Sequence, residues 1–182
     1  FDAVTIVANL LTEKRTANET EKELLSKYVG FGGLKDILLD PENDAHWDKS
    51  NQENRDSIRD IIEKITIIES FGYVGALNAV RDSILNAHYT SDTVINAIYA
   101  GIDKLGFDAG KILEPSAGIG NFVGLMPGIM RENSEITQVE IEPITSLINK
   151  YLYHDTKVIN QGLQNASLRN EAFDLVISNI PF

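Results

Sequence analysis

Apolar residues at three- and four-residue steps dominate the first half of the chain. Ala3 to Leu11 carries Val4, Ile6, Val7, Leu10 and Leu11 at helical spacing, and Ile58, Ile61, Ile62, Ile65 and Ile68 form one apolar stripe. Between them, Thr16-Ala-Asn-Glu19 fits a capping box and predicts a helix with Leu24, Leu25 and Tyr28 inward, stopping at Gly30-Phe-Gly-Gly33. Asp40 to Asn54 is polar, is broken by Pro41, and reads as a loop. A shorter helix is predicted near Val74 to Leu85. Residues 1–85 therefore read as a helical N-terminal region.

After Asn86 the rhythm changes. Thr90 or Ser91, with Asp92 behind it, caps a predicted helix whose apolar face is Val94, Ile95, Ile98, Tyr99, Ile102 and Leu105, ended by Gly106. Short apolar runs then alternate with helical ones. Lys111 to Leu113 predicts a strand, Gly120 to Ile129 a short helix weakened by Pro127, and Ile136 to Ile141 a second strand. Pro143 to Tyr153 predicts a helix with proline in its first turn, Lys157 to Asn160 a third strand and Phe173 to Ser178 a fourth. Such alternation with short connections predicts an α/β, Rossmann-like parallel sheet over 86–182. The chain begins with Phe and stops just past the fourth strand, so the expectation is a piece of a longer protein with its sheet truncated.

Composition narrows the chemistry. The 182 residues carry 16 Lys and Arg against 27 Asp and Glu, a formal charge of −11, and no cysteine. Disulfides, cysteine-zinc sites and thiol nucleophiles are excluded, and His46, His88 and His154 lack metal-ligand spacing. No apolar run approaches the ~18 residues of a membrane helix, and the N-terminus is no signal peptide, so a cytoplasmic globular protein without a metal or membrane partner is expected. From Asp40 to Glu69 there are nine acids and four bases. That balance argues against a free-standing nucleic-acid binder, which needs a Lys/Arg surplus on some face.

Three short stretches carry candidate chemistry. Glu114-Pro-Ser-Ala-Gly-Ile-Gly-Asn-Phe122 joins the first strand to its helix, and Gly118 and Gly120 let backbone approach a ligand near a helix N-terminus. Position 123 is Val, so the dinucleotide fingerprint is not met, and by itself the stretch is equally a tight strand-to-helix turn. Glu140, near the end of the second strand, is placed to accept ribose hydroxyls; alone it is equally a solvated carboxylate. Glu142 precedes Pro143 and begins the helix. Together, turn and acid point to a nucleoside-containing cofactor. A carboxylate at Glu114, ahead of Pro115, would repel a pyrophosphate but pair with a cationic amino group. In Asn179-Ile-Pro-Phe182 the Asn179 amide and the Ile180 carbonyl, stiffened by Pro181, offer two acceptors to an exocyclic amino group, and Phe182 offers a stacking face. The plainer reading is a strand end followed by a proline turn.

The set resembles the class I S-adenosylmethionine-dependent methyltransferases of the amino-methylating DNA branch. Glu114 to Phe122 is similar to their first motif, Val139 to Pro143 to the second, and Asn179 to Phe182 to their catalytic N/D/S-P-P-Y/F/W. Asn86-Ala-His-Tyr-Thr-Ser91 resembles the motif holding the methionine carboxylate, and its N-terminal position resembles the gamma arrangement of adenine-N6 enzymes. More narrowly, Tyr28 to Leu34 followed by Leu85 to Ser91 is similar to the large helicase-linked DNA methylases of conjugative and phage-like mobile elements. The resemblance implies S-adenosylmethionine as cofactor. Tyr89 and Thr90 would contact its methionine end, with Pro115, Ala117, Gly118, Gly120, Asn121 and Phe122 along the first motif. Glu114 would sit near the amino group, Glu140 on the ribose, and Ile141 on the adenine. Asn179, Ile180, Pro181 and Phe182 would hold and stack the target adenine.

Two positions depart from the pattern. Ile180 stands where proline is common, and Gln161-Gly162 replaces a frequent acidic residue; the Gln161 side-chain oxygen still accepts from the cofactor's amino group. The implied reaction is direct methyl transfer to adenine N6 of a flipped-out base, with no strong base required. DNA would be held mainly by regions outside this chain, beside a covalently linked helicase domain, and this stretch alone would be inactive. An RNA or protein-glutamine methyltransferase, or a non-catalytic module anchoring a helicase or partner, are the alternatives. The helical region reads as a scaffold, or as a lid carrying Phe31.

Overall fold

The computed structural model describes residues 2–84 and 90–180. Tyr89, Pro181 and Phe182, and with them the Leu85 to Tyr89 part of the motif before the sheet, lie outside the described residues. The chain forms two compact units, residues 1–87 and 88–182.

In the first unit, α1 (Asp2–Glu13) packs on α2 (Glu19–Ser26) and on α3 (Arg55–Ser70), and α3 packs on α4 (Ala76–Ser83). Val4, Val7 and Leu10 of α1 and Ile58, Ile61, Ile65 and Ile68 of α3 are buried, as their spacing predicts, because each set forms a single stripe. The capping box sits two residues later than expected. Asn18 Oδ1 accepts the Glu21 N–H at 2.9 Å, and Glu21 returns a carboxylate to the Asn18 N–H at 2.8 Å. Arg15 holds the same carboxylate, so Glu21, and not Glu19, stands at the third helical position. The Asp40–Asn54 segment contains 3-10 turns at Asp44–His46 and Gln52–Asn54. The first arginines of α3 fasten it: Arg55 donates to the Pro41 carbonyl and pairs with Asp44, and Arg59 pairs with Glu42. Trp47 is tucked in, its indole N–H donating to the Asp40 carbonyl at 2.9 Å. Phe31 is buried, with its ring edge-on to Tyr28.

The second unit is a Rossmann-like α/β fold. Helix α5 (Asp92–Lys104) leads into β1 (Lys111–Glu114), followed by α6 (Asn121–Gly124), α7 (Gly128–Glu132), β2 (Glu135–Glu140), α8 (Pro143–Leu152), β3 (Lys157–Asn160) and β4 (Leu175–Val176). The four strands are all parallel, in the order β3-β2-β1-β4. The order reverses direction between β1 and β4, and this switch point is where open α/β sheets bind ligands. Ile95, Tyr99 and Ile102 of α5, Phe122 and Val123 of α6, and Met126 and Met130 pack with Ile112 and Ile136 of the strands.

Four local expectations need correction. The predicted Gly120 to Ile129 helix is two short helices, because Pro127 cannot donate within a helix and instead precedes α7. Ser91 occupies the N-cap of α5 with its side chain uninvolved, so neither Thr90 nor Ser91 caps that helix by a side-chain bond. Val94 and Leu105 are exposed, leaving Ile95, Tyr99 and Ile102 as its buried stripe. The fourth strand pairs over only two residues, although Asp174 N–H to the Lys111 carbonyl and Ile177 N–H to the Leu113 carbonyl extend its bonding to β1.

Candidate functional site

The turn after β1 is held from three sides. Ala117 N–H donates to the Val139 carbonyl at 2.9 Å, tying the turn to the end of β2. Gly118 (φ +57°) and Gly120 (φ +87°) both occupy the left-handed region. A Cβ at Gly120 would also lie 2.5 Å from the Tyr153 ring. That ring is itself fixed: Arg131, paired with Asp155 at 2.8 Å, lies over it 5.1 Å from its centroid.

Three carboxylates converge around this turn, each with a different task. Glu142 caps α8, accepting the Ile144 and Thr145 N–H groups at 2.9 and 2.7 Å. Glu140 accepts the Gly118 N–H with one oxygen and the Glu142 N–H with the other, both at 2.8 Å. The Asn160 side chain clamps the backbone beneath it, donating to the Glu140 and Ile141 carbonyls at 2.9 and 3.1 Å. Glu114 is 2% exposed, and its Oε2 has no hydrogen-bond partner. Burial pushes all three carboxyls above their ordinary range, and for Glu114 the neighbouring Glu140 charge adds to the effect.

Such a site has a defined preference. A buried carboxylate oxygen without a donor, beside a second carboxylate, favours an ammonium or hydroxyl groups and disfavours a phosphate. S-Adenosylmethionine fits that donor set, since it carries an ammonium and two ribose hydroxyls and no phosphate. Among the described residues no group of three His, Cys, Asp or Glu could hold a metal ion, and no helix is long and apolar enough to cross a membrane.

Pro115 and Ala117 are buried within the turn, while Asn121 is half-buried at the first position of α6. Phe122 faces the core, its ring against Tyr99 and its carbonyl accepting the Tyr99 hydroxyl at 2.7 Å, so its side chain packs the helix and does not line the turn. Ile141 is 65% exposed beyond β2 and Ile180 is 55% exposed beyond β4. Gln161 and Asn179 are exposed just past β3 and β4, and Thr90 is half-buried ahead of α5. The exposed isoleucines follow strand ends, at the ligand edge of such a sheet.

Sequence reasoning missed a polar cluster behind the turn. Gln138 and Asn149, both fully buried, exchange amide hydrogen bonds at 3.0 and 2.9 Å. Gln138 also donates to Thr156 at 2.9 Å, and Asn149 donates to the Gly118 carbonyl at 3.1 Å. The signal was present: Gln138 shares a face of β2 with Ile136, inside a run of buried positions, where a polar residue requires a partner.

No family model matches the chain. It is 26% identical over 141 residues to the Defense against restriction protein B of Escherichia phage P1, covering 74% of this chain and 6% of that protein's length. A solved structure from Listeria monocytogenes, described as a class I S-adenosylmethionine-dependent methyltransferase, aligns over 98% of this chain and 59% of its own, with a TM-score of 0.43 and 13% identity.

Proposed function

We propose that the carboxyl edge of this sheet binds S-adenosylmethionine and that the chain is the cofactor-binding part of a larger DNA adenine-N6 methyltransferase. The observation that carries the reading is Glu114, a buried carboxylate with an unpartnered oxygen at the topological switch point. In this reading Glu114 pairs with the cofactor's ammonium. Glu140 accepts from the ribose hydroxyls with the lone pairs that the Gly118 and Glu142 N–H groups leave free. The turn backbone from Ala117 to Asn121 runs alongside, Ile141 covers the adenine, Gln161 accepts from its amino group, and Thr90 serves the methionine end. The bound cofactor supplies a methyl group on a sulfonium, an electrophile that needs no protein nucleophile.

Asn179 and the Ile180 carbonyl are the proposed acceptors for the target amino group. Their exposure beyond β4 supports this role, because an incoming base must reach them. DNA as the acceptor is supported by the motif order and by the likeness to a phage protein named for defence against restriction. The formal charge of −11, with Arg15, Arg55, Arg59 and Arg131 engaged with carboxylates, supports assigning DNA contacts to other parts of the larger protein.

Calorimetric titration with S-adenosylmethionine tests the cofactor. Saturable binding, lost in Glu140→Ala, is expected; a folded chain that takes up no heat overturns the reading. Methyl transfer by the larger protein to DNA, RNA and protein tests the acceptor. Transfer to RNA or protein alone would overturn the adenine-in-DNA assignment.

A further inference from the structure

Gly118 is gripped by side chains through the peptide groups on either side of its Cα. Its N–H donates to the Glu140 carboxylate at 2.8 Å, and its carbonyl accepts the Asn149 amide at 3.1 Å. Asn149 cannot rotate away from this task. Its oxygen accepts from Gln138 at 3.0 Å, and its nitrogen also donates to the Gln138 oxygen at 2.9 Å. Gln138 is fixed in turn by Thr156, whose hydroxyl donates to the Tyr153 carbonyl at 2.9 Å. Both amides are fully buried, where orienting a polar group without partners is costly. A tight turn does not itself require such a cluster, since left-handed glycines close it unaided. The cluster fixes the Gly118–Ile119 peptide, and through the Gly118 dihedrals (φ +57°) it limits how the preceding peptide presents the N–H that holds Glu140.

We infer that Asn149, locked by Gln138, is a positioning residue that sets the Glu140 carboxylate for the nucleoside half of the ligand. The inference rests on the proposed S-adenosylmethionine site. It concerns Asn149 acting through Gly118 and Glu140, with no contact of its own to the ligand. Loss of the Asn149 bond therefore weakens nucleoside recognition while leaving the Glu114 end untouched.

Asn149→Ala would leave the Gln138 amide buried without its partner and could prevent folding. The decisive variant replaces both amides by apolar side chains of similar shape, Gln138→Met with Asn149→Leu, a change that can be nearly neutral for stability. In the whole 182-residue chain its melting temperature is expected to stay close to that of the original. The Gly118 amide proton, drawn downfield by the Glu140 carboxylate, is expected to move toward its random-coil position and to exchange faster with solvent. The dissociation constants for S-adenosylmethionine and for adenosine are both expected to rise about tenfold. Glu114→Gln should weaken S-adenosylmethionine alone, since adenosine has no ammonium. A folded double variant with unchanged affinities overturns the inference, whether or not the Gly118 resonance moves. If the original chain binds neither ligand, the functional reading fails, and an unmoved Gly118 resonance then overturns the positioning role independently.

Discussion

The Glu140 carboxylate accepts the Gly118 N–H at 2.8 Å, so the acid ending β2 and the turn following β1 form one unit. Its other oxygen holds the Glu142 N–H, and Glu142 in turn caps α8. One side chain thus joins the turn, the strand and the helix that a nucleoside ligand would meet. Glu140→Ala leaves two N–H groups without their acceptor, and a loss of about 3 kcal/mol in unfolding free energy is expected by urea titration. Glu140→Gln retains one acceptor oxygen and should lose about half as much. Equal stability of all three proteins would show that the backbone, and not the carboxylate, orders the turn.

Glu114 makes the chain's stability depend on pH. Burial and the Glu140 charge raise its folded-state pKa well above the ordinary carboxylate value. Below that ordinary value the carboxyl is protonated in both states and its contribution is fully present. As pH rises through the raised folded value, ionisation of the buried group removes that contribution. The protein should therefore lose stability from weakly acid toward alkaline pH, and Glu114→Gln should flatten this component while raising the melting temperature at pH 8. The same variant should bind S-adenosylmethionine more weakly, because the ligand's ammonium loses its counter-charge. Melting curves between pH 5 and 8, with and without ligand, read both effects.

Gly120 combines a left-handed backbone (φ +87°) with a close approach to the Tyr153 ring. Gly120→Ala is expected to cost about 2–3 kcal/mol, part from the dihedral and part from overlap with the ring. In a double-mutant cycle, Tyr153→Ala should recover the steric part and leave the dihedral part. If the two substitutions simply add, the ring yields without cost and the dihedral carries the whole effect.

Elements with a single dominant period were legible in the sequence. The Ile58 to Ile68 stripe and the Lys157 to Asn160 strand occur where the pattern predicts them. The parallel sheet followed from short strands alternating with helices, and Glu142 as a helix start followed from the proline behind it. What escaped was set by tertiary geometry. Asn18 won the cap from Thr16 because Arg15 and Glu21 organise that turn together. Phe122 looked like part of a binding loop, yet the first turn of α6 directs its ring into the core beside Tyr99. Gln138 and Asn149 have no local motif, since their meaning depends on meeting each other across eleven residues.

Asn179 is exposed beyond β4, whereas the Glu114, Gly118 and Glu140 cluster is built on β1 and β2. Ile177, two residues before Asn179, is anchored by an N–H bond to the Leu113 carbonyl at 3.0 Å, so truncating Asn179 disturbs little of the sheet. Asn179→Ala should change stability by less than about 0.5 kcal/mol, as expected of a surface substitution. Its affinity for S-adenosylmethionine should be unaltered in the chain itself. In the larger protein, methyl transfer should fall by about 10²–10³-fold, the loss typical when one preorganised hydrogen-bonding group leaves an active site. Asn179→Asp keeps an acceptor oxygen and should retain more of the rate than the alanine variant. Loss of cofactor affinity in Asn179→Ala would instead make Asn179 part of the cofactor pocket, and unchanged methyl transfer would remove it from the chemistry altogether.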